Sequence, residues 1–546
     1  MAKVESELIL PSTKVSSADY TNAAVIDIEP SESLPVPKCN GNFYKRNASD
    51  VVAIARAAFR SYKTKSVEFR RQQLKNLLRM FDENAKDMED ALKKDLGRHR
   101  QEASTLDVEY GRNEILKALM HLDEWTKPET PSKPLVNTLD KIRIYSDPYG
   151  VVLIISSWNF PINLVFTPLA GAIAGGNCVI IKPSELAEAT AQLIAGLVPK
   201  YLDKECYQVY LGDATETAEL LKERFDYIFF TGSTTVARIV HAAANKYLTP
   251  VTLELGGKSP VFIDKSADME ISVRRILWGK CSNAGQVCIA PDYILCTKEV
   301  QENFVSIATK VLKEWYGDDA QSSPDYCRII SDRHYNRLMN FLKDKRNIVI
   351  GGKSDAASRF IEPTILVDVN PNDPIMQEEV FGPILPIVTI ENPYEAINFI
   401  NAREKPLVIY VFTKKKATKD LFASNTSSGG LSINETLFHF SVDTLPFGGV
   451  GFSGMGAYHG KNSFDTFVHK KGTFDRDFAT VTEKSTSFRY PPYSEIKTSF
   501  INGVMRPRKA IVPYKYIKPF LIFCLGIIFV IIVQLIYCHV SDKHFF

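Results

Sequence analysis

The stretch from Val151 to Glu254 decides the fold, because five short apolar runs recur within it. The runs are VVLII at 151, CVIIK at 178, YQVYL at 207, YIFFT at 227 and VTLEL at 251. They largely lack the polar alternation of a half-exposed strand, which is typical of strands buried on both faces. Segments of helical composition separate most of them, at 162–174, 187–201, 214–224 and 234–246. The sequence therefore predicts an α/β fold with a parallel, doubly wound sheet of the dinucleotide-binding type.

Helical and mixed segments flank this stretch. Upstream, apolar residues recur at helical spacing from 49 to 96, with Ser49 or Asp50 as the predicted N-cap, and a second helical run covers 102–125. The segment 137–146 is predicted to be an extended arm. Downstream, strand-like runs between 261 and 434, such as YILC at 293 and LVIYVF at 407, predict a second α/β lobe.

The composition excludes several classes of protein. The chain has 546 residues, 45% hydrophobic and 24% charged, which is enough for two or three domains with real cores. Its net charge of +3 gives no field that would attract nucleic acid. Nine cysteines occur without CxxC pairs or histidine-rich spacing. We therefore expect no metal site and no disulfide framework, and a reducing compartment is favoured.

Two segments of the second half contain the groups that carry chemistry. VTLELGGKSP at 251–260 ends an apolar strand with Glu254, and CSNAGQVCIAPDY at 281–293 places Cys288 among small residues. A thiol that attacks and a carboxylate that activates water are what a covalent thioester mechanism requires. Alone, Cys288 between Val287 and Ile289 would more often be a buried hydrophobic residue, and Glu254 a surface acid at a strand end.

Two phosphate-binding motifs are matched only superficially. GGVGFSGMG contains a literal GxGxxG at Gly449, Gly451 and Gly454, but Pro446 precedes it and no hydrophobic strand does. GKS at 257–259 resembles the end of a P-loop, yet Thr252 stands where the first glycine should be. Neither segment is predicted to hold a phosphate.

An ordered set of motifs gives a family resemblance. SWNFP, KPSE, FTGSTTVA, LELGGKSP, GQVC, EEVFGP and PFGG follow one another over roughly 49–470. With them the chain resembles the aldehyde dehydrogenase superfamily, and FRYPP at 488 with the apolar C-terminus resembles its fatty aldehyde dehydrogenase branch. The resemblance implies a Rossmann-type cofactor domain, an α/β catalytic domain and a small bridging element for oligomerisation. We expect a loosely ordered arm at 1–45, the NAD-binding domain at 46–254 with a bridging arm at about 137–147, the catalytic domain at 255–440 and a bridging segment at 441–480.

The resemblance also implies roles for three catalytic residues. Cys288 would attack the aldehyde carbonyl. The oxyanion that forms would lie between the side-chain amide of Asn159 and the backbone N–H of Cys288. Hydride transfer to the cofactor would follow, and Glu254 would activate the water that hydrolyses the thioester. The expected products are a carboxylic acid and NADH.

For the cofactor, the resemblance implies six contact residues: Lys182 and Glu185 at the adenosine ribose, Gly232 and Ser233 near the pyrophosphate, and Glu379 with Phe381 at the nicotinamide. A carboxylate accepts from a 2′-hydroxyl and repels a 2′-phosphate, so Glu185 favours NAD, while Lys182 leaves NADP open. Ala237 stands where the family often has glycine, which leaves the approach of the pyrophosphate open. The resemblance also implies a homodimer.

The C-terminus predicts a membrane anchor over 517–538. FLIFCLGIIFVIIVQLIYC at 520–538 is uncharged, and as a helix it would be about 29 Å long, close to the ~30 Å hydrocarbon core. Basic residues before it outnumber the single Lys543 after it, which predicts a cytosolic catalytic part and a tail anchor. The endoplasmic reticulum is favoured over the mitochondrial outer membrane or a lipid droplet. Residues 481–516 are predicted to gate an apolar tunnel at the membrane.

The leading hypothesis is a membrane-anchored, NAD-dependent dehydrogenase of medium- and long-chain aldehydes. Such substrates are lipid-derived and partition into the bilayer, since each CH₂ contributes about 0.8 kcal/mol on burial. The alternatives are an enzyme acting mainly on aromatic or short aldehydes, a coenzyme A-acylating dehydrogenase, and a non-catalytic scaffold that retains the fold. Glu254 argues against the acylating enzyme, and Cys288 with Asn159 and Glu254 argues against the scaffold.

Overall fold

The computed structural model describes residues 47–343, 347–506 and 514–542. The helices are α1 Ala48–Arg60, α2 Val67–Leu96, α3 Arg100–Ala103, α4 Glu109–Thr126, α5 Asn163–Gly175, α6 Glu188–Tyr201, α7 Ala214–Leu220, α8 Thr234–Asn245, α9 Met269–Cys281, α10 Lys298–Tyr316, α11 Asp332–Phe341, α12 Pro393–Asn401, α13 Lys416–Asn425, α14 Lys461–Thr466, α15 Thr480–Thr486, α16 Glu495–Met505 and α17 Tyr514–Asp542. The strands are β1 Lys141–Pro148, β2 Val151–Ile155, β3 Cys178–Lys182, β4 Tyr207–Val209, β5 Tyr227–Thr231, β6 Val251–Glu254, β7 Pro260–Ile263, β8 Tyr293–Cys296, β9 Ile348–Ile350, β10 Ser354–Asp355, β11 Phe360–Ile361, β12 Thr364–Leu366, β13 Ile384–Thr389, β14 Val408–Phe412, β15 Gly430–Ile433, β16 Gly454–Met455 and β17 Val468–Asp475. The N-terminal arm predicted over 1–45 lies outside the described residues.

The five apolar runs form one sheet, as predicted. Its six strands lie in the order β16-β6-β5-β2-β3-β4, and β2 to β6 are parallel throughout. Strands β2, β3 and β5 are buried along their whole length, because helices cover both faces of a parallel sheet. The chain runs from β2 outward to β4 and then returns to the other side of β2 with β5. This reversal leaves a crevice at the carboxyl ends of β2, β3 and β5.

A second sheet contains the strands of the predicted catalytic lobe. Its seven strands lie in the order β15-β14-β7-β8-β13-β12-β9, and they are parallel except for the edge strand β9. It has a hydrophobic core of its own, which includes Phe304, Leu338 and Val408. The chain leaves the first sheet at Glu254, the last residue of β6, and enters the second at β7, whereas Cys288 lies in the connection from α9 to β8 within the second lobe. The α/β fold is thus confirmed, while the domain limits stay a prediction.

The predicted bridging segments pair with each other. Strand β1 runs antiparallel to β17 in an unbroken register from Lys141 opposite Asp475 to Pro148 opposite Val468. The predicted arm began at 137, but 135–137 form a short 3₁₀ turn and the strand starts at Lys141. Most side chains of β17 after Val468 are exposed. The ladder therefore leaves much of its surface free of contacts within the chain.

Two further elements bear on the predictions. Helix α1 is capped by Asn47, whose side chain accepts the N–H of Ser49 at 3.2 Å. The predicted caps Ser49 and Asp50 were wrong, because the backbone is already helical from Ala48 and only Asn47 keeps the extended conformation that a cap requires.

At the C-terminus, α17 occupies the predicted anchor, and its large apolar side chains between 520 and 533 are largely exposed. In the described parts of the chain, no helix meets the length and apolarity that a bilayer span requires, so the predicted transmembrane helix at 517–538 is not found there.

Candidate active site

Cys288, the predicted nucleophile, follows helix α9 through an unusual turn. Asn283, Ala284 and Gly285 all have positive φ, at 50°, 51° and 73°. Such conformations are unfavourable for residues with a Cβ and cluster at active sites. At Gly285 a Cβ would lie 2.3 Å from the carbonyl oxygen of Gly382, so glycine is required. The turn leaves Cys288 half-buried, with access that a fully buried thiol would lack.

Gln286 fixes this segment from within, and the sequence reasoning missed it. The side chain is fully buried, and its Nε2 donates to the carbonyl oxygens of Asn283 and Arg328, both at 3.0 Å. Its Oε1 accepts the N–H of Ile330 at 3.0 Å. Because both N–H groups and the oxygen are used, the amide has a single orientation. Its place in the GQVC motif was the only signal in the sequence.

Asn159 lies against the same segment. It follows β2 in the connection to α5 and is 3% exposed. Its Nδ2 donates to the carbonyl oxygen of Gln286 at 3.1 Å, and its own carbonyl oxygen accepts Nδ2 of Asn283 at 2.9 Å. The structure therefore brings the predicted oxyanion donor to the residues immediately before Cys288.

Glu254, the predicted base, ends strand β6 and is 4% exposed. Neither of its carboxyl oxygens has a hydrogen-bond partner among the described residues. Burial raises the pKa of Glu254 well above its usual range. A buried carboxyl group without a partner is unfavourable for folding, and such groups in native proteins call for an explanation. A catalytic role provides one.

The electrostatics place the two carboxyl groups near the thiol. Burial raises the pKa of Cys288 to about 12, and the negative charges of Glu379 and Glu254 act in the same direction. The backbone N–H groups of Cys288 and Ile289 act in the opposite direction. In this state of the protein, Cys288 is a protonated thiol at neutral pH. Its activation requires a change in its surroundings or a proton acceptor.

Glu379, and not its neighbour Glu378, faces this site. Its carboxylate packs so closely on Gly256 that a Cβ there would lie 2.1 Å from Oε2. Burial raises the pKa of Glu379 to about 8, Asp292 adds to the effect, and a hydrogen bond from the backbone N–H of Gly257 opposes it. Glu378 is exposed. The structure thus places Glu379 against Gly256, while the role of Glu379 at the nicotinamide stays a prediction.

Lys258 joins the two loops that carry these groups. Its ammonium donates to Asp292 Oδ1, to the carbonyl oxygen of Ile375 at 2.7 Å and to that of Glu378 at 2.9 Å. Asp292 in turn accepts the N–H of Val380 at 2.9 Å. The lysine of the P-loop-like GKS thus serves as a structural tie. Asp292 was missed, although an acid four residues after Cys288 in an apolar segment was a signal.

The predicted adenosine contacts lie at the carboxyl end of β3. Lys182 donates to the carbonyl oxygen of Pro183 at 2.9 Å and to Glu185 Oε2 at 3.3 Å. Burial lowers the pKa of Lys182, and Glu185 acts in the opposite direction. The Glu185 side chain is 46% exposed and can accept further hydrogen bonds. Ser233 caps α8, where its Oγ accepts the N–H of Val236 at 3.4 Å.

The remaining predicted contacts lie at the same edge or face it. A Cβ at Gly232 would lie 2.5 Å from the ring of Phe230, so the strand end passes tightly over that ring. Phe381 has a φ of 45°, and its ring meets Trp158 edge-on with centroids 5.4 Å apart. Trp158 lies next to Asn159. Phe381 therefore packs against the residue that precedes Asn159.

Two buried hydroxyl groups at the carboxyl ends of the strands indicate what kind of ligand the crevice fits. Ser156 follows β2, Thr231 ends the neighbouring β5, and neither side-chain oxygen has a partner among the described residues. Orphaned donors at adjacent strand ends, beside the N-terminus of α8, suit a polar ligand carrying phosphate and ribose. The residues present thus fit a nicotinamide dinucleotide. Neither hydroxyl was singled out from the sequence.

The fold and the site define the class: an α/β oxidoreductase with a doubly wound sheet of the dinucleotide-binding type and a half-buried cysteine. The aldehyde dehydrogenase family matches residues 21–472. The chain belongs to the aldehyde dehydrogenase family, and it is an aldehyde dehydrogenase. This family was the one that the sequence motifs indicated.

Several relatives are similar over most of the chain. Rat "aldehyde dehydrogenase, dimeric NADP-preferring" is 49% identical over 81% of this chain and 97% of its own length. Mouse "aldehyde dehydrogenase family 3 member A2" is 49% identical over 82% of this chain and 91% of its own. A solved structure, described as the substrate-bound state of Staphylococcus aureus AldH, is 42% identical, with a TM-score of 0.82 over 85% of this chain and all of the other.

Proposed function

We propose that this aldehyde dehydrogenase oxidises medium- and long-chain aliphatic aldehydes to fatty acids with NAD. The observation that carries the chemistry is Glu254, a buried carboxyl group without a partner, within electrostatic reach of a half-buried Cys288. The substrate class is supported by the similarity to relatives of family 3 and by the apolar C-terminal helix.

The residues suggest the following sequence of steps. Cys288 Sγ gives its proton to solvent water and attacks the aldehyde carbon, and the oxyanion accepts hydrogen bonds from the Asn159 amide and the Cys288 backbone N–H. The bound cofactor supplies a hydride acceptor. Glu254 then takes a proton from water as the water attacks the thioester. The C–S bond breaks, the acid is released, and the proton on Glu254 returns to Cys288 Sγ. One aldehyde, one NAD⁺ and one water give one acid, NADH and a proton.

For the cofactor we propose NAD, with NADP used less well. The exposed Glu185 carboxylate would accept from a ribose 2′-hydroxyl and repel a 2′-phosphate. The buried Lys182, 3.3 Å from that carboxylate, would offset part of the repulsion. One relative is named as NADP-preferring, so the two cofactors should be compared directly by kcat/KM.

Aromatic side chains near the nucleophile support a second candidate substrate class, the aromatic aldehydes. Tyr410 Oη donates to the backbone carbonyl oxygen of Ile289, next to Cys288, at 2.6 Å. Burial raises the pKa of both Tyr410 and Tyr458, and the thiolate charge of Cys288 acts in the same direction. The rings of Phe447 and His459 stack 4.8 Å apart beside Tyr458. Aromatic side chains of this kind can contact an alkyl chain, and they can contact an aromatic aldehyde equally well.

We further propose a membrane tail anchor over 517–538, with the catalytic part in the cytosol. It is supported by the exposed apolar side chains of α17 and by the five basic residues that precede it, at 506, 508, 509, 515 and 518. The endoplasmic reticulum is the favoured membrane, and residues 481–516 would gate the substrate. Alkaline carbonate extraction of the full chain, against a variant truncated after Met505, tests the anchor. Release of both forms would contradict it.

We also propose a homodimer. The ladder of β1 and β17, in which β17 is largely exposed, would bridge two subunits, and one relative is named as dimeric. Sedimentation of the variant truncated after Met505 should give twice the monomer mass.

The activity is tested with a panel of hexadecanal, a short aldehyde and benzaldehyde, with NAD or NADP. We expect the highest kcat/KM for hexadecanal with NAD and a free acid as product by mass spectrometry. Preference for benzaldehyde would favour the second substrate class. Silence with every aldehyde, in folded protein, would indicate the non-catalytic scaffold.

A further inference from the structure

A buried cation lies behind the nucleophile segment and takes no part in the steps above. Helix α2 ends at Gly97, whose φ of 65° turns the chain inward, and the next residue, Arg98, is fully buried. Its Nη1 donates to Asp107 Oδ2 at 3.0 Å, and its Nε lies 3.8 Å from Glu102 Oε1. Its guanidinium also lies over the ring of Phe160, 4.9 Å from the centroid.

This cluster reaches both parts of the catalytic centre. Arg98 Nη2 donates to the backbone carbonyl oxygen of Asn159 at 2.5 Å. Glu102 Oε1 accepts the backbone N–H of Asn283 at 2.6 Å, and Asn283 is one of the positive-φ residues before Cys288. Arg98 and Glu102 thus each bond to the main chain of one segment, and they face each other.

Asp107 holds the far side of the Asn159 turn. Its Oδ1 accepts the N–H of Asn163, four residues after Asn159, at 2.5 Å. Asp107 lies in a π-helical turn over 104–108, and such turns are frequent at functional sites. The three charged side chains therefore tie one short stretch, 98–107, to the two segments that meet at the thiol.

We propose that Arg98 and Glu102 are positioning residues that set the Asn159 amide at the correct place relative to Cys288. A buried ionic cluster contributes little to stability compared with apolar residues of the same volume, so its presence calls for another role. Its bonds go to the main chain of the catalytic segments, where a displacement of about 1 Å reduces rate by about a hundred-fold. The inference rests on the proposed role of Asn159 as oxyanion donor.

Single-turnover kinetics test it, with the full-length enzyme in excess over hexadecanal and NAD saturating. The rate constant of NADH formation reports how well the site is positioned, and the circular dichroism spectrum of each variant reports the folded fraction. We expect Arg98→Met to lower the rate constant by about ten- to a hundred-fold, with a native spectrum and an NAD dissociation constant within about two-fold of native. Arg98→Lys restores a charged donor and should be at least about three-fold faster than Arg98→Met. Arg79→Met, at an exposed ion pair on α2, is the matched control and should keep the native rate.

Glu102→Gln keeps an acceptor for Asn283 and removes one charge, so it remains informative if Arg98→Met fails to fold. We expect a loss of several-fold in its rate constant. Asn159→Ala in the same assay separates the two proposals. If Asn159→Ala is slow while Arg98→Met and Glu102→Gln keep the native rate constant, the positioning role is overturned and the oxyanion role stands. If Asn159→Ala keeps the native rate, the oxyanion role falls and the positioning role with it.

Discussion

The two sides of the catalytic centre are built in opposite ways. On one side, the Asn159 amide and the fully buried Gln286 are held by hydrogen bonds to the main chain of two segments, 283–286 and 328–330. On the other side, Glu254 is just as deeply buried, and neither of its oxygens has a partner among the described residues. Several hydrogen bonds fix the side chains on the first side, and none fixes the carboxyl group on the second.

This difference follows from what each side must do. A donor that stabilises a developing oxyanion works best when it needs no reorganisation during the reaction, so it should be fixed in advance. A general base must exchange a proton, and a carboxylate tied to fixed donors would be too weak a base to do so. Removing a group should therefore have different consequences on the two sides.

The largest effect is expected on the fixed side. Asn159→Ala removes an oxyanion donor and should lower kcat by at least about a hundred-fold. Steady-state NADH formation with hexadecanal measures it. Asn398→Ala, at an exposed position on α12, is the control and should leave kcat unchanged. A loss below about ten-fold for Asn159→Ala would refute its role.

The next largest effect is expected on stability, which substitutions on the two sides should change by different amounts. Gln286→Ala leaves the buried N–H of Ile330 and the carbonyl oxygen of Arg328 without the partner that the Gln286 side chain provides, so it should lower the free energy of unfolding by about 2 kcal/mol. Glu254→Gln breaks no hydrogen bond in the described structure and should change it by less than about 0.5 kcal/mol. Urea denaturation of both variants compares them. Equal destabilisation would remove the distinction between the sides.

A smaller effect concerns the charge around the thiol. Because the pKa of Cys288 is raised to about 12, its alkylation by iodoacetamide should speed up about tenfold per pH unit below pH 8 and should keep rising, less steeply, to pH 9. The pKa of Glu379 is about 8, so its charge opposes the thiolate only above that pH. Glu379→Gln should therefore speed alkylation about three-fold at pH 9 and leave the rate at pH 6 unchanged. A rate that levels off below pH 9 in the native protein would contradict the raised pKa.

Much of the fold could be predicted because its signals are local. The runs VVLII, CVIIK and YIFFT predict buried parallel strands by composition alone, and the ordered motifs identified the family. The GxGxxG near 449–454 could also be set aside locally. In the structure Gly454 lies against the carbonyl oxygen of Leu253, where a Cβ would be 2.2 Å away, so the glycine permits close packing of two strands.

The supports of the site could not be predicted, because they join residues far apart in the chain. Arg98 bonds to Asn159, 61 residues later, and Glu102 to Asn283, 181 residues later. After Gly97 at a helix end, a cation is expected to face solvent, and only the folded chain shows that it turns inward. The predicted N-cap of α1 was wrong for a local reason. Asn47, Ser49 and Asp50 are all good caps, and the sequence does not decide which one precedes the first helical residue.

The central claim is a cysteine thioester that Glu254 resolves, and rapid mixing of Glu254→Gln with NAD and hexadecanal tests it most directly. The account predicts one rapid burst of NADH, close to one per active site, followed by almost no turnover, while the native enzyme turns over steadily and Cys288→Ser forms no NADH. Steady turnover of Glu254→Gln near the native rate would contradict the account.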